Sequence, residues 1–291
     1  MVRAGTRSAK IFGMSRPLAA AVLALLLAAA AGCHAQPTQP ARPPFDSEMV
    51  ALPLGESEVR LAVHTAGQGP SFLVLHDSED TAAEVGLEAV RARGGRLIEV
   101  QSEGRRRVHF EHRGRTWSFD PNRIFTDGGA PWTLREHGGE PPPEVVAEVR
   151  RFAEALVGVH GPGSYPVLIT LHNNTEGDYS AASYLPGGSR DGHAAALHLP
   201  DGADPDDFFF VTDRAIYDAL VQEGFPVVLQ DPERVEDDGS LSVWAARRGI
   251  PYVNVEAQHW HYGQQKRMLE ALSRVLDAHD AVRDAAGTLT R

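Results

Sequence analysis

The sequence predicts an α/β fold, a mainly parallel mixed sheet flanked by helices. Three observations lead there. Apolar runs of strand length alternate with segments of helical spacing through most of the chain. Two of the runs, at 71–75 and 166–171, are apolar almost throughout, as strands covered on both faces are. The composition, 42% hydrophobic and 7% aromatic over 291 residues, suits one large domain or two small ones with a sizeable core.

The elements follow in order. Residues 59–64 and 71–75 read as strands, and 81–93 as a helix stopped by Gly94-Gly95. Residues 96–100 form a strand, and 107–111 with 115–119 form a hairpin around Arg113-Gly114. A helix with Pro at its start spans 143–159. The strand at 166–171 follows. Strands at 208–212 and 226–230 enclose a helix at 213–222. A helix at 241–248, a strand at 252–257 and a helix at 264–278 complete the domain. Such alternation favours a sheet covered by helices, with functional groups gathered at strand ends.

The N-terminus reads differently. Residues 1–17 are basic, 18–31 are apolar, and Gly32-Cys33 follows. This pattern predicts a secretory signal over 1–32. Ala30-Ala31-Gly32-Cys33 resembles a bacterial lipobox, with Ala30 where Leu is commoner, and implies lipid attachment at Cys33. Cys33 is the only cysteine, so an internal disulfide is excluded. The apolar run is shorter than the roughly 20 residues of a membrane span. The expectation is a soluble body tethered to a membrane face in the cell envelope, in the periplasm or outside the cell. Residues 33–57 read as a Pro-rich tether, 58–279 as the α/β domain and 280–291 as a tail. Net charge is −11 despite four basic residues and no acid in the first 32, so the body is more acidic still. That argues against nucleic acid as a partner.

Four motifs carry chemistry. His76-Asp77-Ser78-Glu79 lies between an apolar strand and a helix, where His76 and Glu79 can aim at one point. His172, in Leu171-His172-Asn173-Asn174, leaves a second core strand. His76, Glu79 and His172 match in number and type the three protein ligands of a catalytic zinc, which keeps one position open. The lack of a cysteine cluster argues against a structural zinc site. Glu256 ends the strand Tyr252-Val-Asn-Val-Glu256, pointing opposite to Val253 and Val255, and could take a proton from water. In Phe119-Asp120-Pro121-Asn122-Arg123-Ile124-Phe125, Arg123 can grip a carboxylate through two hydrogen bonds and Asn122 can add a third.

In chain order, at 76–79, 120–125, 171–175 and 252–256, the motifs resemble those of the zinc carboxypeptidase superfamily, which includes aspartoacylase and succinylglutamate desuccinylase. The resemblance covers roughly residues 70–270. Asn122 falls 43 residues after Glu79, and His172 falls 50 after Asn122. It implies a zinc carboxypeptidase-like fold and one Zn²⁺ ion on His76, Glu79 and His172. It also implies Glu256 as the base, and Asn122 with Arg123 on a substrate carboxylate. DPNRIFT and LHNNT look like the deacylase branch. Gly239-Ser240-Leu241-Ser242, with Gly249-Ile250-Pro251-Tyr252, looks like the carboxypeptidase branch and implies that Leu241 and Ser242 line an uncharged specificity pocket. An upstream arginine should polarise the scissile carbonyl. Arg115 matches the deacylase spacing, with Arg107 and Arg105 as rivals. Asp77 stands where the deacylases commonly have Gly, Pro121 where they have Leu, and Arg234 where the carboxypeptidases have a mobile Tyr. Asn173, Asn174, Tyr179, Tyr184, His259 and His261 are weaker candidates around the cleft. The function implied is hydrolysis of a peptide or acyl-amide bond next to a free substrate carboxylate. The alternatives are an N-acyl amino acid deacylase and an inactive substrate-binding lipoprotein.

Overall fold

The structure, a computed structural model, describes residues 44–161 and 165–289. Its strands are β1 (Phe45–Leu54), β2 (Ser57–Ala66), β3 (Ser71–Val74), β4 (Gly95–Gln101), β5 (Val108–His112), β6 (Arg115–Phe119), β7 (Leu168–Asn174), β8 (Ala194–His198), β9 (Phe208–Val211), β10 (Val227–Gln230) and β11 (Tyr252–Gln258). Its helices are α1 (Asp80–Arg93), α2 (Gly129–Gly138), α3 (Pro143–His160), α4 (Arg214–Gln222), α5 (Leu241–Ala246) and α6 (Tyr262–Leu289), with 3-10 turns at Pro121–Arg123 and Ala181–Tyr184.

Nine strands form one mixed sheet in the order β1-β2-β4-β3-β7-β11-β9-β10-β8. The central four, β4, β3, β7 and β11, are mutually parallel. β2 on one side, and β9 with β10 on the other, run against them. Helices cover both faces, as the sequence predicts, and side-chain alternation sorts the core into two layers. Ile169, Leu171, Val253, Val255 and Ala257 pack on one face with residues of α1, α4 and α6. Leu168 and Tyr252 belong to the other layer, with the β5–β6 hairpin, α2, α3 and α5. Because the period is two, Thr170, His172, Asn254 and Glu256 share this second face. They supply its polar part, and the candidate site opens there.

The folded chain starts earlier than the sequence suggests. Residues 45–54, read as tether, pair with β2 along their whole length. Only the last residues of β1 are buried, so an edge strand with one wet face looked like linker. β8 and α2 were also missed. β8 is an Ala-rich edge strand held by its pairing with β10, and α2 carries Gly and Pro in its first turn. β7 runs on through Asn174, which puts His172 inside the strand. α6 continues to Leu289 through the segment read as a tail. The signal segment, Cys33 and the first part of the tether lie outside the described residues. Among the described residues no helix is long and apolar enough to cross a membrane.

Candidate metal centre and cavity

His76 and Glu79 lie on the turn from β3 into α1, which is closed by Glu79 N–H donating to the His76 carbonyl at 3.0 Å. His172 reaches them from β7, the strand beside β3. All three side chains are at least 95% buried. His76 Nδ1 lies 2.7 Å from Glu79 Oε1, and His172 Nδ1 lies 2.9 Å from Glu79 Oε2. One ligand atom from each of the three falls within 4.8 Å of the others. Two imidazoles and a carboxylate converging in a buried pocket are a donor set that fits zinc or a similar divalent ion. His172 Nε2 is buried with no partner among the described residues.

Asp120 completes this centre. Its Oδ1 lies 2.8 Å from His76 Nε2 and accepts from Asn122 N–H at 2.8 Å. A carboxylate accepting from the far nitrogen fixes the tautomer and leaves the Nδ1 lone pair for a metal, as in metal-bound histidines generally. Burial alone would lower the His76 imidazole. The carboxylates of Glu79 and Asp120 outweigh it and push it up to about 9. Burial works against both acids too, yet His76 and its neighbours hold them well below the usual carboxylate range. Burial keeps His172 below its ordinary value despite Glu79.

Glu256 stands beside His172 in register between β11 and β7. It is 5% exposed and accepts one hydrogen bond, from Asn254 Nδ2 at 2.8 Å. Asn254 Oδ1 accepts from Thr170 Oγ1 at 3.4 Å, and Thr170 Oγ1 lies 2.6 Å from the Tyr252 hydroxyl. Burial, reinforced by the charge of Glu79, raises the Glu256 carboxyl to about 8. Asn254 lies two residues from Glu256 and on its face, so alternation alone could have flagged it.

The arginine nearest the centre is Arg106, a correction to the sequence reading. Arg106 lines the cavity, with Nη1 3.2 Å from Glu79 Oε1 and Nη2 3.4 Å from Asp120 Oδ2. Arg115 stacks 4.0 Å from the Trp117 ring and donates to the Gly138 carbonyl. Arg107 contacts His137, and Arg105 pairs with Glu103 at the surface. None of these three lines the cavity. Asp77 explains the choice, since its Oδ2 accepts from the backbone N–H groups of Ser102 and Gly104, each at 2.7 Å. The departure from Gly at that position therefore holds the loop that delivers Arg106.

A cavity of about 420 Å³ extends from this centre over the sheet face. Asn122 and Arg123 line it. Asn122 Oδ1 accepts from Leu241 N–H at 3.3 Å, tying the 3-10 turn to the start of α5. Gly239, at φ 80°, allows the same contact. A Cβ there would sit 2.5 Å from the Arg123 carbonyl. Arg123 lies 3.4 Å and Arg190 3.7 Å from one carboxylate oxygen of Asp238, so two cations share a single acid. Arg190 and Asp238 sit in loops without periodic pattern, and the sequence reading missed both.

Ser242 lines the cavity, but Leu241 does not; it is fully buried in the core behind it. Tyr179 and Tyr184 both line it, their hydroxyls 2.8 Å apart. Asn173 ties the structure together, accepting from Ala82 N–H and donating to the Ala257 carbonyl and Gln265. Asn174 lines the cavity and donates to the Asp206 carbonyl, and its buried Oδ1 has no partner among the described residues. His261 belongs to a separate cluster with Asp207, at 2.8 Å, and Asp204, at 4.0 Å. His259 and Arg234 lie outside the cavity wall.

No family model and no curated protein matches the sequence. Among solved structures, similar chains include a succinylglutamate desuccinylase/aspartoacylase from Rhodobacter sphaeroides, at 15% identity and a TM-score of 0.42, aligned over 80% of this chain and 66% of that one. An aspartoacylase family protein from Mesorhizobium loti has 15% identity and a TM-score of 0.43, over 81% and 68%. A succinylglutamate desuccinylase from Silicibacter has 13% identity and a TM-score of 0.41, over 83% and 70%. This chain spans about two thirds of their length.

Proposed function

We propose that the chain is a zinc-dependent hydrolase of an amide bond next to a free substrate carboxylate. The substrate is a peptide C-terminus or an N-acyl amino acid. The observation that carries this is the convergence of His76, Glu79 and His172 beside Glu256, in a cavity that also holds Arg106 and Arg123. A zinc ion on those three ligands would supply Lewis-acid activation of water and of the carbonyl oxygen. Glu256, beside His172 on the cavity wall, is placed to take a proton from the attacking water and hand it to the departing nitrogen. The Arg106 guanidinium can face charge developing on the carbonyl oxygen. Arg123 and Arg190 share one acid, which leaves positive charge for a substrate carboxylate.

The test pairs metal analysis of the purified protein with hydrolysis assays. N-acyl-aspartate and N-acyl-glutamate are run in parallel with short peptides, which separates deacylase from carboxypeptidase. Glu256→Gln should keep its zinc and lose most turnover, on the order of 10²–10⁴-fold. A protein that binds no divalent metal and hydrolyses neither substrate class would favour a binding lipoprotein instead. We also propose that Cys33 carries a lipid that holds the domain at the cell envelope. The basic start, the apolar run and Gly32-Cys33 support this. Incorporation of labelled fatty acid that persists in Cys33→Ser would refute it.

A further inference from the structure

The cavity continues past the metal ligands to a buried side chain whose amide has nothing to bond. Gln230 ends β10 at the point where its register with β8 shifts, opposite Ala194. It is 2% exposed, and it lines the cavity. Neither its Oε1 nor its Nε2 has a partner among the described residues. Beside it in the backbone, Asp231 N–H donates to the His193 carbonyl at 2.9 Å, and His193 lines the cavity too, its buried Nδ1 without a partner among the described residues. Phe210 and Tyr184, with ring centroids 5.6 Å apart, supply apolar walls nearby. A buried amide with both ends unpaired costs stability, and an aliphatic side chain of the same volume would be the better choice for packing alone.

We propose that Gln230 is a specificity residue that receives a substrate group bearing a donor and an acceptor together, a primary carboxamide. A carboxylate is acceptor-only, so it could satisfy Nε2 but would set its oxygens against Oε1. A thioether or alkyl group would leave both ends unpaired. A carboxamide pairs with both. The substrate side chain is therefore that of glutamine or asparagine. This assignment rests on the amide hydrolase reading for the position of the scissile bond, while the polar subsite itself does not.

The full-length, zinc-loaded protein is assayed with N-acetyl-glutamine, N-acetyl-asparagine, N-acetyl-glutamate and N-acetyl-methionine. Calorimetry measures binding of the four free amino acids. The better carboxamide compound should exceed the glutamate and methionine compounds at least tenfold in kcat/KM. Gln230→Met should reduce that preference to under threefold, leave the methionine compound at least as good a substrate, and melt no lower than the parent. Equal kcat/KM for all four compounds, or a preference that survives Gln230→Met, would overturn the assignment. So would a Gln230→Met protein that fails to fold, because the amide would then be structural. If none of the four compounds is hydrolysed, binding decides. Tighter binding of glutamine or asparagine than of methionine, lost in Gln230→Met, upholds the subsite while the hydrolase reading falls. No such difference in binding removes the subsite.

Discussion

Asp120 offers the sharpest test of the metal centre, because it touches no ligand atom directly and yet should control metal affinity. Its Oδ1 accepts from both His76 Nε2 and Asn122 N–H, and its Oδ2 faces Arg106. Asp120→Ala removes the acceptor that fixes His76 and leaves a buried N–H unpaired. Asp120→Asn keeps an acceptor and removes the charge. Losing such a partner typically costs about 10–100-fold in metal affinity, or about 1.4–2.8 kcal/mol. The Ala variant should fall in that range, and the Asn variant should lose less. Zinc affinity is read by titration against a chromophoric chelator at fixed pH. If Asp120→Ala bound zinc within twofold of the parent, His76 would not depend on Asp120. The account of the centre would then be wrong.

Three further outcomes follow from the same geometry. Arg106→Ala should lower kcat/KM by about 10²–10³-fold, the usual loss for a group that stabilises developing charge, whereas Arg115→Ala should leave it within threefold; steady-state kinetics on the preferred substrate that showed the reverse would return the role to Arg115. Gly239→Ala places a side chain at φ 80° against the Arg123 carbonyl, so it should destabilise the fold by more than about 1 kcal/mol and raise KM; urea unfolding and kinetics check both. His160 is buried at the end of α3, with Ser71 Oγ 3.2 Å from its Nδ1, and burial aided by the charge of Arg96 lowers it to about 3 from 6.5. The neutral form is the folded one, so its contribution is complete above pH 6.5 and is lost as pH falls toward 3, by about 3 kcal/mol at pH 4.5. His160→Gln should flatten that loss in urea unfolding at pH 7.5 and 4.5, and an equal decline in both proteins would rule His160 out as its source.

Much of the fold and part of the site were legible because they depend on local pattern. The apolar runs at 71–75 and 166–171 declared buried strands, and the helices α1, α3, α4 and α6 declared themselves by spacing and stop signals. Edge elements did not. β1 and β8 are strands because a neighbour pairs with them, and neither the acidic, half-wet pattern of one nor the alanines of the other signals that.

The sequence by itself determined the residue types that can hold a metal and their attachment to core strands. With a period of two, His172, Asn254 and Glu256 had to share a face once β7 and β11 paired in parallel. Only the tertiary structure decided which of three successive arginines, 105–107, turns inward, because Asp77 grips the loop from 25 residues away. It also brought Asp120 onto His76, set two arginines on Asp238 and left the Gln230 amide without a partner among the described residues. Periodicity specifies a face, but a hydrogen-bond partner is set by whichever distant segment packs there, and no local pattern encodes that distance.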